Sequence, residues 1–347
     1  MIKNEIFLLV ISAVVILGIL FILLGYLIIR KWREIQTRKK IEDFKENLSL
    51  KIYSYLSEGR VIRDLVPDSL LKQIAISELL GRYTDLLEGK EEKQRVSEFA
   101  ENYLKKYYHQ LLSSRRWSKR MNALYHIEEF TITSLLNEVL HLSEKERSSK
   151  DEIIHSLRIL ASFEYEHLYT ALTQKHSHLS EFEYRNILMR IPNHLYDQFI
   201  EGFHHCQTSL QYAVLDAIGL QKKMEYLPFL ESMYANSSGE IKIRALKSLA
   251  AIGYVNEIEA YMPSCQAPQW QERMMVAKLF GETKEKVAIP CLIRLLHDSS
   301  WWVRSQAGQS IMQFPNGERT LREVLETSKD PFARDMAWEW INKGEVL

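Results

Sequence analysis

The densest group of soft metal ligands in the 347-residue chain is His204-His205-Cys206, followed by His176-x-His178. A tetrahedral site needs its ligands to converge on one point, whereas neighbours on a helix point about 100° apart. These histidines therefore read as polar loop and surface residues, and no metal and no cofactor is expected. The three cysteines, Cys206, Cys265 and Cys291, lie far apart with no CxxC pair. That spacing gives no zinc ribbon and predicts no disulfide framework. Neither a Walker A loop nor GxGxxG, GxSxG or HExxH occurs, so no phosphate cradle, nucleophile elbow or metalloprotease pair is present. No catalytic residue can be assigned, and the expectation is a protein that is not an enzyme.

Binding chemistry remains. One candidate is the basic run Arg115-Arg116-Trp117-Ser118-Lys119-Arg120, with Lys105 and Lys106 upstream. It suits an acidic protein partner or lipid headgroups, although charge runs on helices are usually solvated faces. A second candidate is aromatic: Trp270, Trp301, Trp302, Trp338 and Trp340 all fall in the last 78 residues. Adjacent rings cannot both be buried on one side of a helix. One of Trp301 and Trp302 is expected in the core or between repeats, the other exposed as an anchor for a partner.

The chain as a whole is neutral, with 45 basic and 45 acidic residues, which argues against a general nucleic-acid binder. Residues 1–40 nevertheless hold seven basic and two acidic side chains, leaving 38 basic and 43 acidic in the rest. The excess positive charge surrounds an apolar run. From Ile6 to Ile29 there are 24 residues without a charge, enough for a helix of roughly 36 Å against a hydrocarbon core of about 30 Å. A cleaved signal peptide has a shorter apolar stretch and a small-x-small site, whereas Tyr26-Leu27-Ile28-Ile29-Arg30 is bulky and then charged. The expectation is a retained transmembrane helix over 1–29, followed by a basic juxtamembrane segment over 30–40. Only Lys3 precedes the span, while Arg30, Lys31, Arg33, Arg38, Lys39 and Lys40 follow it, with Trp32 at headgroup level. The positive-inside rule then predicts a single-pass protein of the cell membrane, N-terminus outside and the remainder cytoplasmic.

Beyond residue 40 apolar residues recur at helical spacing and no sustained alternation appears. With 13 glycines and 8 prolines, the chain is also poor in turn residues, which disfavours an all-β fold. A period is visible. Arg244, Arg273, Arg304 and Arg334 stand 29, 31 and 30 residues apart, each near the start of a small-and-apolar helix. Gly253, Gly281 and Pro315 fall at the predicted turns, and Pro228 and Pro290 open second helices. Asp298 and Asp330 are placed to cap the next first helix. Weaker copies occur at 117–127, 151–160, 183–191 and 210–219. Helix pairs of about 31 residues predict an α-solenoid, with 41–116 as its helical N-terminal part and 117–347 as regular repeats. The last helix, with Phe332, Met336, Ala337, Trp338 and Ile341, is expected to close the far end.

Asp298-Ser-Ser-Trp-Trp-Val-Arg-Ser-Gln-Ala resembles the D-x-x-x-x-V-R-x-x-A opening of short bacterial HEAT-like repeats of the phycobilisome-lyase type. Asp330-Pro-Phe-Ala-Arg is similar but lacks one residue before its arginine. The resemblance is specific over 209–347, moderate over 117–206 and poor over 41–116. It implies a right-handed all-α solenoid of HEAT-like hairpins that presents a long surface to another macromolecule. It also implies that Arg244, Arg273, Arg304 and Arg334 stack repeats by pairing with the preceding unit's acidic residue. For a membrane-anchored member it suggests a protein partner, itself membrane-associated, beside envelope or polysaccharide machinery. Neither nucleic acid nor a small-molecule substrate is expected. The family's enzymatic members point to one rival, a lyase acting through Cys206, Cys265 or Cys291; its di-iron members use His-Glu pairs, and the chain has no His-Glu dipeptide.

Overall fold

The first helix, α1, runs without interruption from Ile2 to Glu58. The computed structural model describes residues 2–60, 63–87 and 89–344, with the side chains of residues 2–10, Ser12 and Gly344 outside that description; Lys3, used above for orientation, is among these. α1 contains three consecutive regions of different chemistry. Over residues 13–29 its described apolar side chains are exposed, from Val14 through Ile29. Residues 30–40 carry the basic segment. Further along, Ile41, Leu48, Ile52 and Leu56 form one buried stripe, the spacing that a helix uses to lay one face on a neighbour. No Pro or Gly falls between Tyr26 and Glu58, so nothing in the sequence breaks the hydrogen-bond ladder.

The remaining described elements are also helical, and they cluster into two compact units, Met1–Phe163 and Glu164–Leu347. The first unit adds α2 (Leu70–Thr84), α3 (Lys90–Phe99), α4 (Lys105–Leu112), α5 (Trp117–Glu129), α6 (Leu136–Glu144) and α7 (Lys150–Ser162). α3 continues into α4 through a single π-turn at Ala100–Leu104. The second unit holds α8 (Leu168–Thr170), α9 (Glu181–Leu188), α10 (Asn193–Glu201), α11 (Thr208–Gln221), α12 (Leu227–Asn236) and α13 (Gly239–Ile252). It ends with α14 (Trp270–Thr283), α15 (Ile289–Leu295), α16 (Trp301–Met312), α17 (Gly317–Thr327) and α18 (Pro331–Gly344). Its first helices α13, α14, α16 and α18 begin 31, 31 and 30 residues apart.

Local chemistry sets the boundaries. Ser149 and Ser180 each accept from the backbone N–H three residues on, while Glu152 and Glu183 return a carboxylate to the cap N–H. These two capping boxes start α7 and α9. Asp330 starts α18 by accepting from the Phe332 N–H at 3.0 Å. Asp298 acts two residues before the cap position it was expected to fill: its Oδ1 takes the Ser300 N–H at 2.8 Å, and Ser300 occupies the cap position of α16. Gly253 ends α13 with a φ of +79°, a conformation that glycine adopts without a Cβ penalty. Gly281 does something else. It lies inside α14, where an added Cβ would stand 2.6 Å from the Ser310 Oγ of α16, so it permits close helix packing rather than a turn. The turn itself is made by Lys284, φ +56°.

One second helix is replaced. Between α13 and α14 the chain forms a 3₁₀ segment, Ile258–Gln266, that contains Pro263. Runs of this length are uncommon. Cys265 in this segment and Cys291 in α15 form a disulfide, with Cα atoms 6.3 Å apart. The sequence reading of unconnected cysteines is corrected here: a separation of 26 residues is less than one repeat, and stacking brings second-helix positions of adjacent repeats together.

Candidate interaction surfaces

The repeated arginines show how the stack is held. Asp216 on α11 is 3% exposed and receives three cations. Arg244 of α13 lies at 2.9 Å, Lys247 at 3.1 Å and Arg185 of α9 at 3.5 Å. Arg244 also reaches Glu181 at 2.5 Å and stacks over the Tyr212 ring at 4.4 Å. Sequence reasoning missed Asp216 because it lies in an otherwise apolar helix, Leu-Gln-Tyr-Ala-Val-Leu-Asp-Ala-Ile-Gly; a lone carboxylate on an apolar face is the available signal. Arg273 reaches forward instead of back. It forks onto Asp298 of the following repeat, with N–O distances of 2.5 and 2.8 Å. Burial works to raise the Asp298 carboxyl, but the Arg273 guanidinium, the Ser300 N–H and the field of Arg304 hold it below the usual aspartate range. Arg304 donates to the Asp298 and Ser299 carbonyls at 2.8 and 3.2 Å and lies 5.1 Å from the Phe332 ring centre. Arg334 is exposed and, among the described residues, pairs with no carboxylate.

Along the same edge of the second unit, first helices open with exposed aromatics: Phe182, Trp270, Trp301, Trp302 and Phe332. Trp301 and Trp302 are 48% and 59% exposed, and their rings meet edge to face at 4.9 Å. Neither is core, contrary to the expectation for one of them, because both stand on the first turn of α16, beyond the neighbour's reach. In α18, Ala333, Met336, Ala337 and Ile341 are buried, whereas Phe332 and Trp338 face outward.

In the first unit the basic run occupies the turn between α4 and α5. Arg115, Arg116, Trp117 and Lys119 are all exposed. The Trp117 Nε1–H donates to the Ser149 hydroxyl at 2.9 Å, and Arg120 pairs with the buried Glu152 at 2.5 Å. Glu152 is held below the ordinary range because Arg120 and the Ser149 donors outweigh its burial, which works the other way. On α1, Arg30, Lys31, Trp32, Arg33, Lys39 and Lys40 are exposed, and Arg38 bridges to Glu78 of α2 at 2.5 Å.

Among the described residues no group of three or more His, Cys, Asp and Glu side chains is placed to hold a metal, and His176, expected at the surface, is buried. His204 and His205 sit exposed on a short 3₁₀ turn, while Cys206 is buried beneath them. Burial pushes the Cys206 thiol up, the opposite of an activated nucleophile. A cavity of about 540 Å³ lies beside Tyr234 and Tyr261; of its charged lining, Lys242 pairs with Glu272 at 2.8 Å and Glu231 accepts from Asn256 at 2.7 Å, while Glu257 completes the rim.

Short turns reverse the chain between paired helices, and first helices lie side by side in register, which makes each unit an α-solenoid. Residues 288–314, covering α15 and α16, match the HEAT repeat family. Among solved structures, an engineered protein is similar at 12% identity, TM-score 0.39, over 88% of this chain and 99% of that one. Importin beta is similar at 12% identity, TM-score 0.38, over 87% of this chain and 42% of that one. No curated protein matches the chain. Among the described residues one helix, α1, is long and apolar enough to cross a membrane.

Proposed function

We propose that the protein is a membrane-anchored scaffold: α1 crosses the cell membrane once, N-terminus outside, and the solenoid presents the aromatic edge of its second unit to a membrane-associated protein partner in the cytoplasm. The observation that carries this reading is the division of α1. Its apolar side chains over residues 13–29 touch no other element, and its stripe from Ile41 to Leu56 is built into the array. A helix with an exposed apolar girdle needs lipid around it. Anchoring confines a partner to the membrane plane, where effective concentrations reach the mM range. An accessory role beside envelope or polysaccharide machinery fits such a scaffold. On this edge Trp301 and Trp302 are the anchors, since exposed tryptophans at the centre of a contact contribute most to binding. Catalysis by cysteine is not favoured, because Cys206, Cys265 and Cys291 are all buried.

The test is purification of the full chain from native membranes in mild detergent, beside Trp301→Ala/Trp302→Ala. A membrane protein recovered with the parent chain and lost from the variant supports the reading. Equal recovery from both moves the contact to another surface, and release of the chain by alkaline carbonate removes the anchor.

A further inference from the structure

Four first helices of the anchored unit run in the same direction. α1 and α2 are tied by Arg38 and Lys45 to Glu78 and by Ser49 to Tyr83. α5 and α7 are tied by Trp117 to Ser149, Arg120 to Glu152 and Arg158 to Glu128. α2 meets α5 at their C-terminal ends, where a Cβ on Gly81 would stand 3.2 Å from the Glu129 carboxylate. The starting ends of α2, α5 and α7 therefore share one edge, on the side from which α1 arrives. Leu70 lies eight residues before Glu78, or roughly 12 Å along the helix. It comes level with the basic segment of α1, a few residues past the apolar run. Trp32, Ile35, Leu70 and Trp117 are exposed apolar side chains at this edge, whereas Val66 lies level with a later part of α1, beside the pairing of Lys51 with Asp64 at 2.6 Å.

A cavity of about 520 Å³ opens there, between the α4–α5 and α6–α7 turns. Its lining includes Arg115, Arg120, Lys145 and Arg147 with the hydroxyl-bearing Ser113 and Ser148, and it contains no carboxylate. Arg120 is engaged by Glu152. Arg115, Lys145 and Arg147 have no side-chain partner among the described residues, although Glu144, Glu146 and Asp151 lie in the neighbouring sequence. α5 lacks a side-chain cap, so its first N–H groups add to a field that favours an anion.

We infer that this cavity is a headgroup site for an anionic phospholipid of the membrane that α1 spans, the phosphate lying between Arg115 and Arg147 with Lys145 beside it. The inference rests on α1 being the anchor. Charge complementarity and continuity with the span commit it to lipid: the cavity opens on the edge where exposed Trp32, Ile35 and Leu70 follow directly on the apolar run of α1.

The full chain is reconstituted in nanodiscs of phosphatidylcholine alone or mixed with phosphatidylglycerol, and amide exchange is followed at 113–120 and 145–149. Each basic residue near an anionic surface contributes about fivefold to association. Exchange in both turns is expected to slow at least fivefold in the anionic discs, and Arg115→Glu/Arg147→Glu is expected to abolish that difference. Both residues are exposed, so an unchanged melting temperature shows that the variant still folds. Equal exchange in the two lipids, equal behaviour of the variant, or the same protection from inorganic phosphate in neutral discs would each overturn the headgroup assignment. Failure of the anchor shows differently, as a chain that does not stay in the discs at all.

Discussion

In the second unit, the turns that lead into first helices contain Asp298, Lys329 and Asp330 and no arginine, and the helices they start open with Phe182, Trp270, Trp301, Trp302 and Phe332. The corresponding turns of the first unit contain Arg115, Arg116, Lys145 and Arg147. The two units use the same hairpin and the same edge, yet one edge is aromatic and the other basic. In the second unit, cations work between repeats, where Asp216 and Asp298 hold Arg244 and Arg273. In the first, Arg115, Arg116, Lys145 and Arg147 have no side-chain partner among the described residues. The repeat supplies a scaffold whose stacking positions are constrained, while its turn positions are free to specialise.

The contrast breaks most clearly at Asp216. Asp216→Ala removes the buried carboxylate on which Arg244, Lys247 and Arg185 converge, leaving Glu181 to both arginines, and is expected to cost about 3–4 kcal/mol, the lower part of the range for opening a buried ion pair. Arg147→Ala, at an exposed turn, should stay within about 0.5 kcal/mol. Urea unfolding of the two variants checks this, and equal costs would erase the distinction between stacking and edge charges. Next in size, Cys265→Ser/Cys291→Ser is expected to lose about 3 kcal/mol in oxidising buffer, the loop-closure effect of the cross-link. With a reductant present, the variant and parent should unfold together. A cytoplasmic second unit would keep this pair as thiols, so alkylation of cells before lysis also reports on which side of the membrane it lies.

A smaller effect concerns pH. Asp298 has its folded pKa depressed by Arg273. Its contribution is fully present above the ordinary aspartate value of about 3.9 and is lost as pH falls through the depressed folded value. Arg273→Met should flatten this acid limb of a melting-temperature profile, and an unchanged slope would show that the fork contributes nothing. Smallest for stability is Trp301→Ala/Trp302→Ala, expected within about 0.5 kcal/mol because both rings are exposed. A larger loss on thermal unfolding would mean that the pair packs a helix rather than awaiting a partner.

Much of this architecture is legible in the residues. Arginine spacing locates α13, α14, α16 and α18, and the weaker copies at 117–127, 151–160, 183–191 and 210–219 fall on α5, α7, α9 and α11. Periodicity is readable because each repeat must bury the same stripe. Elements that depend on two distant segments are not. The Cys265–Cys291 bond needs the offset between adjacent second helices, and the 3₁₀ segment between α13 and α14 replaces a helix that the average period predicts. Gly281 reads as a turn until Ser310 is seen against it. The exposure of both Trp301 and Trp302 depends on where α16 starts relative to its neighbour, which amphipathicity alone does not specify. Charge at the 115–120 turn is evident in the sequence, but its convergence with Lys145 and Arg147 requires the parallel placement of α5 and α7.

The unbroken course of α1 has a mechanical consequence. Many anchored proteins hang from a flexible tether, so rotation of the membrane helix is not felt by the domain. Here the apolar run and the first-unit stack share one shaft, with Lys45 clasped by Glu42 and Glu78. In the anchor proposed for α1, a change in tilt or azimuth, from a thinner bilayer or a neighbouring helix, would therefore reach the first unit as torque and swing its edge toward or away from the surface.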